Sequence, residues 1–153
     1  MPCPLLTAAT STFESLALLF AEDAPTDAQR AAPLAHAVRV TFGGDPADGA
    51  FAGALLVAVT DDVATALAAN MLGVAPAHAD ARARRDALGE VGNVVCGNVL
   101  PLLGGRAAVF PLAAPTPVPI AEALAELDAG VAGVTALHVA LGVDAGRAVL
   151  TLH

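Results

Sequence analysis

The segment from Arg82 to Leu103 constrains this chain more than any other, because its apolar residues recur at helical spacing while its polar residues share one stripe. Successive helical residues advance by about 100°. Leu88, Val91, Val95, Val99 and Leu102 therefore gather on one side, and Asp86, Glu90, Asn93 and Gly97 fall within a narrow arc on the other. Such a helix buries its apolar side and presents a carboxylate and an amide to whatever lies outside. Gly97, one turn past Asn93, keeps the outward face low, so a backbone or bulky group of another molecule can approach the amide. Pro101 bends or frays the last turn before Gly104 and Gly105.

The elements around this helix predict an α+β fold. Leu6 to Phe20 repeats apolar positions at helical spacing, with Phe13, Leu16, Ala17 and Phe20 along one side and Thr10 or Ser11 available as a cap. Glu22 to Pro33 reads as a polar loop. His36 to Phe42 alternates as a half-buried strand, Gly43 to Gly49 is dense in turn formers, and Phe51 to Val59 returns as the second strand of an antiparallel hairpin. Thr60 or Asp61 caps a helix that runs through Leu72 and closes at Gly73. Ala107 to Leu112 reads as a strand broken by Pro111, and the proline-rich Ala113 to Pro119 is excluded from a sheet interior. Ile120 to Leu127 suits a short helix. Val134 to Leu141 and Arg147 to Leu152 form a second hairpin. The expected architecture is an antiparallel sheet with two long helices packed on it, residues 1–153 forming one domain.

Composition removes several classes of function. The hydrophobic fraction is 56% and mean hydropathy +0.68, yet no apolar span of about 20 residues exists, and alanine and glycine inflate both figures. The longest apolar run, Ala50 to Val59, suits a buried strand. Met1 to Pro4 carries no basic residue and Glu14 interrupts the apolar stretch that follows, so no secretory signal is expected and the cytoplasm is the default compartment. Seven arginines, no lysine and fifteen acidic residues give a net charge of −8, which disfavours nucleic acid as a partner. The one basic cluster, Arg82, Arg84 and Arg85, is either a solvated helix start or a grip for an acidic protein. Without lysine there is no Walker or Schiff-base chemistry. Cys3, Cys96 and the histidines His36, His78, His138 and His153 lack metal-ligand spacing, so no metal site is expected. Cys96 reads as a small buried thiol, and Cys3 as part of a mobile terminus. No serine sits in a GxSxG turn.

A weak internal repeat places Glu14 under Glu90 and Ala17 under Asn93. Either the first helix is a half-site that keeps the carboxylate and lacks the amide, or Glu14 is simply an exposed helical residue.

The pattern Asp86-x-x-x-Glu90-x-x-Asn93 resembles the signature of the CheC/CheX/FliY family of chemotaxis phosphatases. Gly89, Gly97 and Asn98 resemble the CheX form of that helix, as does the upstream helix ending in Met71-Leu72-Gly73. The opening helix, Phe13 to Phe20, is also similar, so the likeness spans roughly residues 5 to 112. Pro115, Pro117, Pro119 and the segment Ala121 to Leu127 depart from it.

The resemblance implies hydrolysis of the aspartyl-phosphate on a CheY-like response regulator, which supplies its own acidic pocket and Mg²⁺, so no cofactor of the chain's own is expected. Asn93 would position water in line with phosphorus. Glu90 would pair with the regulator's invariant lysine, a general-base role being weaker because a carboxylate is repelled by the phosphoryl oxygens. Asp86 and Gly97 would contact the partner, although Asp86 also suits the helix dipole as a first-turn acid. A homodimer paired through sheet edges is a further expectation, with no membrane partner. Other readings are a noncatalytic scaffold of the same fold, and a small-molecule-binding domain that no specific residue supports.

Overall fold

The computed structural model describes residues 3–43, 53–104, 112–129, 137–143 and 146–152. Six strands, β1 (Ala21–Asp23), β2 (Leu34–Phe42), β3 (Gly53–Thr60), β4 (Thr116–Val118), β5 (Leu137–Val143) and β6 (Gly146–Leu152), form one sheet. Their order is β1-β5-β6-β3-β2-β4, and every pairing is antiparallel. Helices α1 (Pro4–Ser15), α3 (Asp61–Leu72) and α4 (Ala81–Gly104) pack on one face, with Val40, Val57 and Leu150 of the sheet among their partners. Helix α5 (Ile120–Ala129) covers the other face, where Ala123 and Val118 meet Leu56, Ala58 and Val149. Central β3 is therefore buried on both faces, which is why Leu55 to Val59 reads as a continuous apolar run instead of alternating. The expected α+β class and both hairpin pairings are present.

Several boundaries differ from the sequence reading. Helix α1 starts at Pro4, whose missing N–H suits the first turn, and stops at Ser15. The chain then turns through Leu18 in the left-handed region (φ 56°), leaving Phe20 64% exposed outside the expected apolar stripe. Cys3 precedes this helix and packs against the core, so it does not belong to a free terminus. Within the expected loop, β1 adds an edge strand and Thr26 opens the short helix α2 (Asp27–Ala31). A capping box holds α2: Gln29 N–H donates to Thr26 Oγ1 (3.2 Å) and Thr26 N–H to Gln29 Oε1 (2.8 Å). The Thr-x-x-Gln spacing is the signal that marks this helix. The first-hairpin turn is outside the described residues beyond Gly43, as are 51–52, 105–111, which include most of the expected strand to Leu112, and 134–136; Leu112 itself bridges Phe42.

The proline-rich segment forms the edge strand β4, beside β2, with Val38 opposite Pro117. Proline cannot donate, so the ladder runs through Thr116 and Val118, and prolines occupy the alternate positions whose N–H groups would face outward. That blunts the edge against a further strand.

Helix α3 is closed by Gly73 in the left-handed region (φ 68°), and Asn70 Nδ2 donates to the Ala17 carbonyl (2.9 Å), tying α3 to the exit of α1. At its start, His36 Nε2 donates to Asp61 Oδ1 (2.7 Å) and Arg84 lies 3.6 Å away, joining β2, α3 and α4. The His36 hydrogen bond holds the Asp61 carboxyl below its ordinary 3.8, partly opposed by desolvation and assisted by Arg84. A lowered folded-state pKa contributes stability above the unfolded value and loses it as pH falls through the folded one. Asp61→Asn is therefore expected to cost about 0.5 kcal/mol at pH 7, small because the group is largely exposed. In paired urea titrations this difference should persist to pH 5 and decline as pH falls below about 3.8; a gap unchanged at pH 2.5 would overturn the assignment.

Candidate functional site

Helix α4 carries the stripe. It is capped by Asp80, whose Oδ1 accepts from Ala83 N–H (2.8 Å), and begins at Ala81, one residue before the expected segment. Leu88, Val91, Val95 and Val99 are buried as expected, joined by Ala87, Cys96 and Leu100, and full burial of each large side chain contributes about 1.5–3 kcal/mol. Leu102, assigned to the buried side, is instead 63% exposed near the end of the helix. Burial pushes the Cys96 thiol up to about 12, which keeps it un-ionised and unreactive.

The outward face has the expected composition. Asp86, Glu90 and Gly97 are exposed and Asn93 is half-buried. A Cβ added to Gly97 would meet nothing within 4 Å, so that position is open. Asp86, Glu90 and Asn93 line one cleft of about 240 Å³, whose remaining wall is Val38, Arg85, Gly89, Pro115 and Pro117. Gly97 does not line it. Asp86 has a long contact with Arg82 (3.9 Å), and both side chains are mostly exposed, so this pair restrains the site little. Among the described residues, no hydrogen bond or ion pair engages the side chains of Glu90 or Asn93.

Two glycines on the flank of the stripe set the depth of the cleft. A Cβ at Gly92 would lie 3.0 Å from Val40 Cγ2, and one at Gly89 would lie 3.2 Å from Pro115 Cβ. The helix thus sits down on β2 through Gly92, and Pro115 closes over Gly89. Isolated glycines inside a helical pattern signal such approaches, which the stripe alone did not disclose. Arg85, Pro115 and Pro117 were legible only as a basic cluster and as departures from the family pattern.

The proposed half-site on the first helix is not assembled. Glu14 is exposed on α1, but Ala17 lies beyond the helix end and is fully buried. A larger cavity, about 630 Å³, lies on the α5 side and is lined by Arg30, Arg147, His138, Asp23 and Asp128 among others, sharing no residue with the stripe. Among the described residues, no group of three His, Cys, Asp or Glu side chains is placed to hold a metal ion, and no helix is long and apolar enough to cross a membrane.

The family profile described as chemotaxis phosphatase CheX matches residues 39–138, which include all of α4. The chain belongs to the CheX family. CheX structures share its fold. Chemotaxis protein CheX from Vibrio vulnificus superposes with a TM-score of 0.69 over 97% of this chain and 92% of that one, at 17% identity. A CheX from Desulfovibrio desulfuricans gives 0.66 over 98% and 95%, at 19% identity. A chain of the CheX-CheY-BeF3-Mg+2 complex from Borrelia burgdorferi gives 0.66 over 97% and 94%, at 18% identity. No curated protein matches the sequence. CheX is a family of chemotaxis phosphatases, and the six-stranded sheet with its helices is the CheX fold.

Proposed function

We propose that this chain, as one CheX-like unit over its whole length, hydrolyses the aspartyl-phosphate of a CheY-like response regulator. The observation that carries this reading is the shared cleft on α4, where Glu90 and Asn93 are uncommitted to any described neighbour. The Borrelia burgdorferi complex, in which a CheX is bound to CheY with BeF3 and Mg+2, supports the partner and the location of the metal on it.

An acyl phosphate is already activated, and the regulator with its Mg²⁺ neutralises the developing charge, so the remaining task is to hold water in line with phosphorus. The Asn93 carboxamide suits this. Its oxygen accepts a hydrogen bond from water, its N–H donates to a phosphoryl oxygen, and it adds no negative charge. Glu90, one turn back along the same face, takes the regulator's lysine ammonium and fixes the register of α4. Asp86 and open Gly97 extend the docking face on either side. No cofactor of the chain's own is required; Mg²⁺ belongs to the receiver.

Glu90→Ala is expected to weaken binding of a BeF3⁻/Mg²⁺-loaded CheY-type receiver about tenfold, the loss typical of a hydrogen-bonded charge pair at an interface. Titration calorimetry measures it. Unchanged affinity together with unchanged phosphate release would remove Glu90 from the site. A phosphorylated receiver that binds the wild-type protein and decays at its intrinsic rate would instead favour a noncatalytic scaffold.

A further inference from the structure

Arg85 has no role in the reading above, yet it stands where two cavities meet. It lines the cleft of Glu90 and Asn93. It also lines an adjoining cavity of about 430 Å³ that runs along the start of α4, past His36, Leu88, Val118 and Ile120, and shares Val38 and Pro117 with the cleft.

The other described arginines are engaged. Arg30 pairs with Asp27 at 3.0 Å, Arg39 with Glu126 and, at 3.9 Å, with Glu122, and Arg84 with Asp61 at 3.6 Å. Arg82 lies 3.9 Å from Asp86, and Arg147 Nε donates to the Ala32 carbonyl at 2.9 Å. Arg85 is exposed, and among the described residues it makes no hydrogen bond or ion pair. Among the described residues, Asp86 and Glu90 are the only carboxylates on either cavity, and neither is paired with it.

An isolated guanidinium here answers an electrostatic problem. The chain carries a net charge of −8, and Asp86 and Glu90 add two negative charges at the cleft itself. Presented to a pocket that is itself acidic, such a face is repelled unless a cation stands beside it. Arginine suits the task, since its planar fork takes a carboxylate through two parallel hydrogen bonds and never loses its charge.

We infer that Arg85 is a docking residue of this site, its guanidinium taking a carboxylate at the rim of the receiver's phosphoacceptor pocket as α4 enters. The inference rests on the phosphatase reading for the identity of the partner. It concerns recognition alone: Arg85 sets affinity and receiver choice, and the step at phosphorus remains with Asn93.

The test uses the full-length protein and purified CheY-type receivers, each with and without BeF3⁻ and Mg²⁺. Arg85→Gln is expected to raise Kd about fivefold, and Arg85→Glu more than about tenfold, with Arg85→Lys between wild type and Gln. The loss should appear with both receiver forms and diminish as salt is raised. In dephosphorylation assays the variants should raise KM and leave kcat unchanged, a split that a general loss of folding does not produce. Equal Kd for wild type, Arg85→Gln and Arg85→Glu at low salt would overturn the inference while leaving the phosphatase reading in place. A loss confined to the loaded receiver would also overturn it, because the guanidinium would then be reading the phosphoryl group. Wild-type protein that binds receivers without hastening phosphate loss would overturn the catalytic reading and leave the docking comparison valid. Wild-type protein that binds no receiver in either form would overturn both.

Discussion

Asn93→Ala is expected to reduce phosphate release from a phosphorylated receiver at least about 100-fold, to the receiver's own rate, while the protein folds and binds as before. The size follows from the role proposed for the amide. With the acyl phosphate already reactive and the charge already neutralised on the receiver, the chain's contribution is almost wholly the placement of water, and a misplaced water forfeits nearly all of it. Asn93 is half-buried at the cleft, outside the apolar core, so truncation leaves no large cavity. Asn93→Asp should fail as well, although it keeps the shape, because its carboxylate would face the phosphoryl oxygens. Single-turnover release with the phosphatase in excess separates this loss from a loss of affinity. An Asn93→Ala protein as fast as wild type would remove the amide from the mechanism.

The second large effect is on the fold beneath the site. Gly92→Leu forces a side chain into the seam where α4 sits on β2, with the first carbon already 3.0 Å from Val40 Cγ2 and 3.5 Å from Val38 Cγ1. Overpacking of this kind costs about 2 kcal/mol and should lower Tm by roughly 4–8 °C. The same substitution at Gly97 supplies the contrast. Open space surrounds that position, and replacing an exposed helical glycine by leucine should gain up to about 1 kcal/mol. Gly97→Leu is thus expected to be more stable and, if the proposed docking face is used, a poorer receiver binder. Thermal unfolding of the two variants side by side checks the pair, and equal Tm values would show that α4 is not seated as described.

What could be read from the sequence depended on the range of the physics involved. The stripe of Asp86, Glu90 and Asn93, the left-handed close of α3 at Gly73 and both hairpin pairings follow from local periodicity and turn chemistry, and these are present. The neighbours that turn the stripe into a cleft were not legible as such. Pro115 and Pro117 reach it only because β4 pairs with β2 across a long separation in sequence. Burial on both faces made β3 a continuous run, but α5, which supplies the second layer, was visible only as a short helix with no assigned place. Phe20 and Leu102 were misplaced for one reason: helical spacing continues past the point where the helix or its packing ends. Arg85 shows the converse, since a charge that read either as one of three solvated arginines or as part of a grip for an acidic protein is distinguished only by what its neighbours already hold.

The most direct measurement is the decay of a phosphorylated CheY-type receiver, labelled on its aspartate by acetyl phosphate, with and without a molar excess of the wild-type protein. The phosphatase assignment predicts that decay accelerates and that the acceleration saturates with added protein. Decay at the receiver's intrinsic rate, with binding demonstrated in the same mixture, would contradict it.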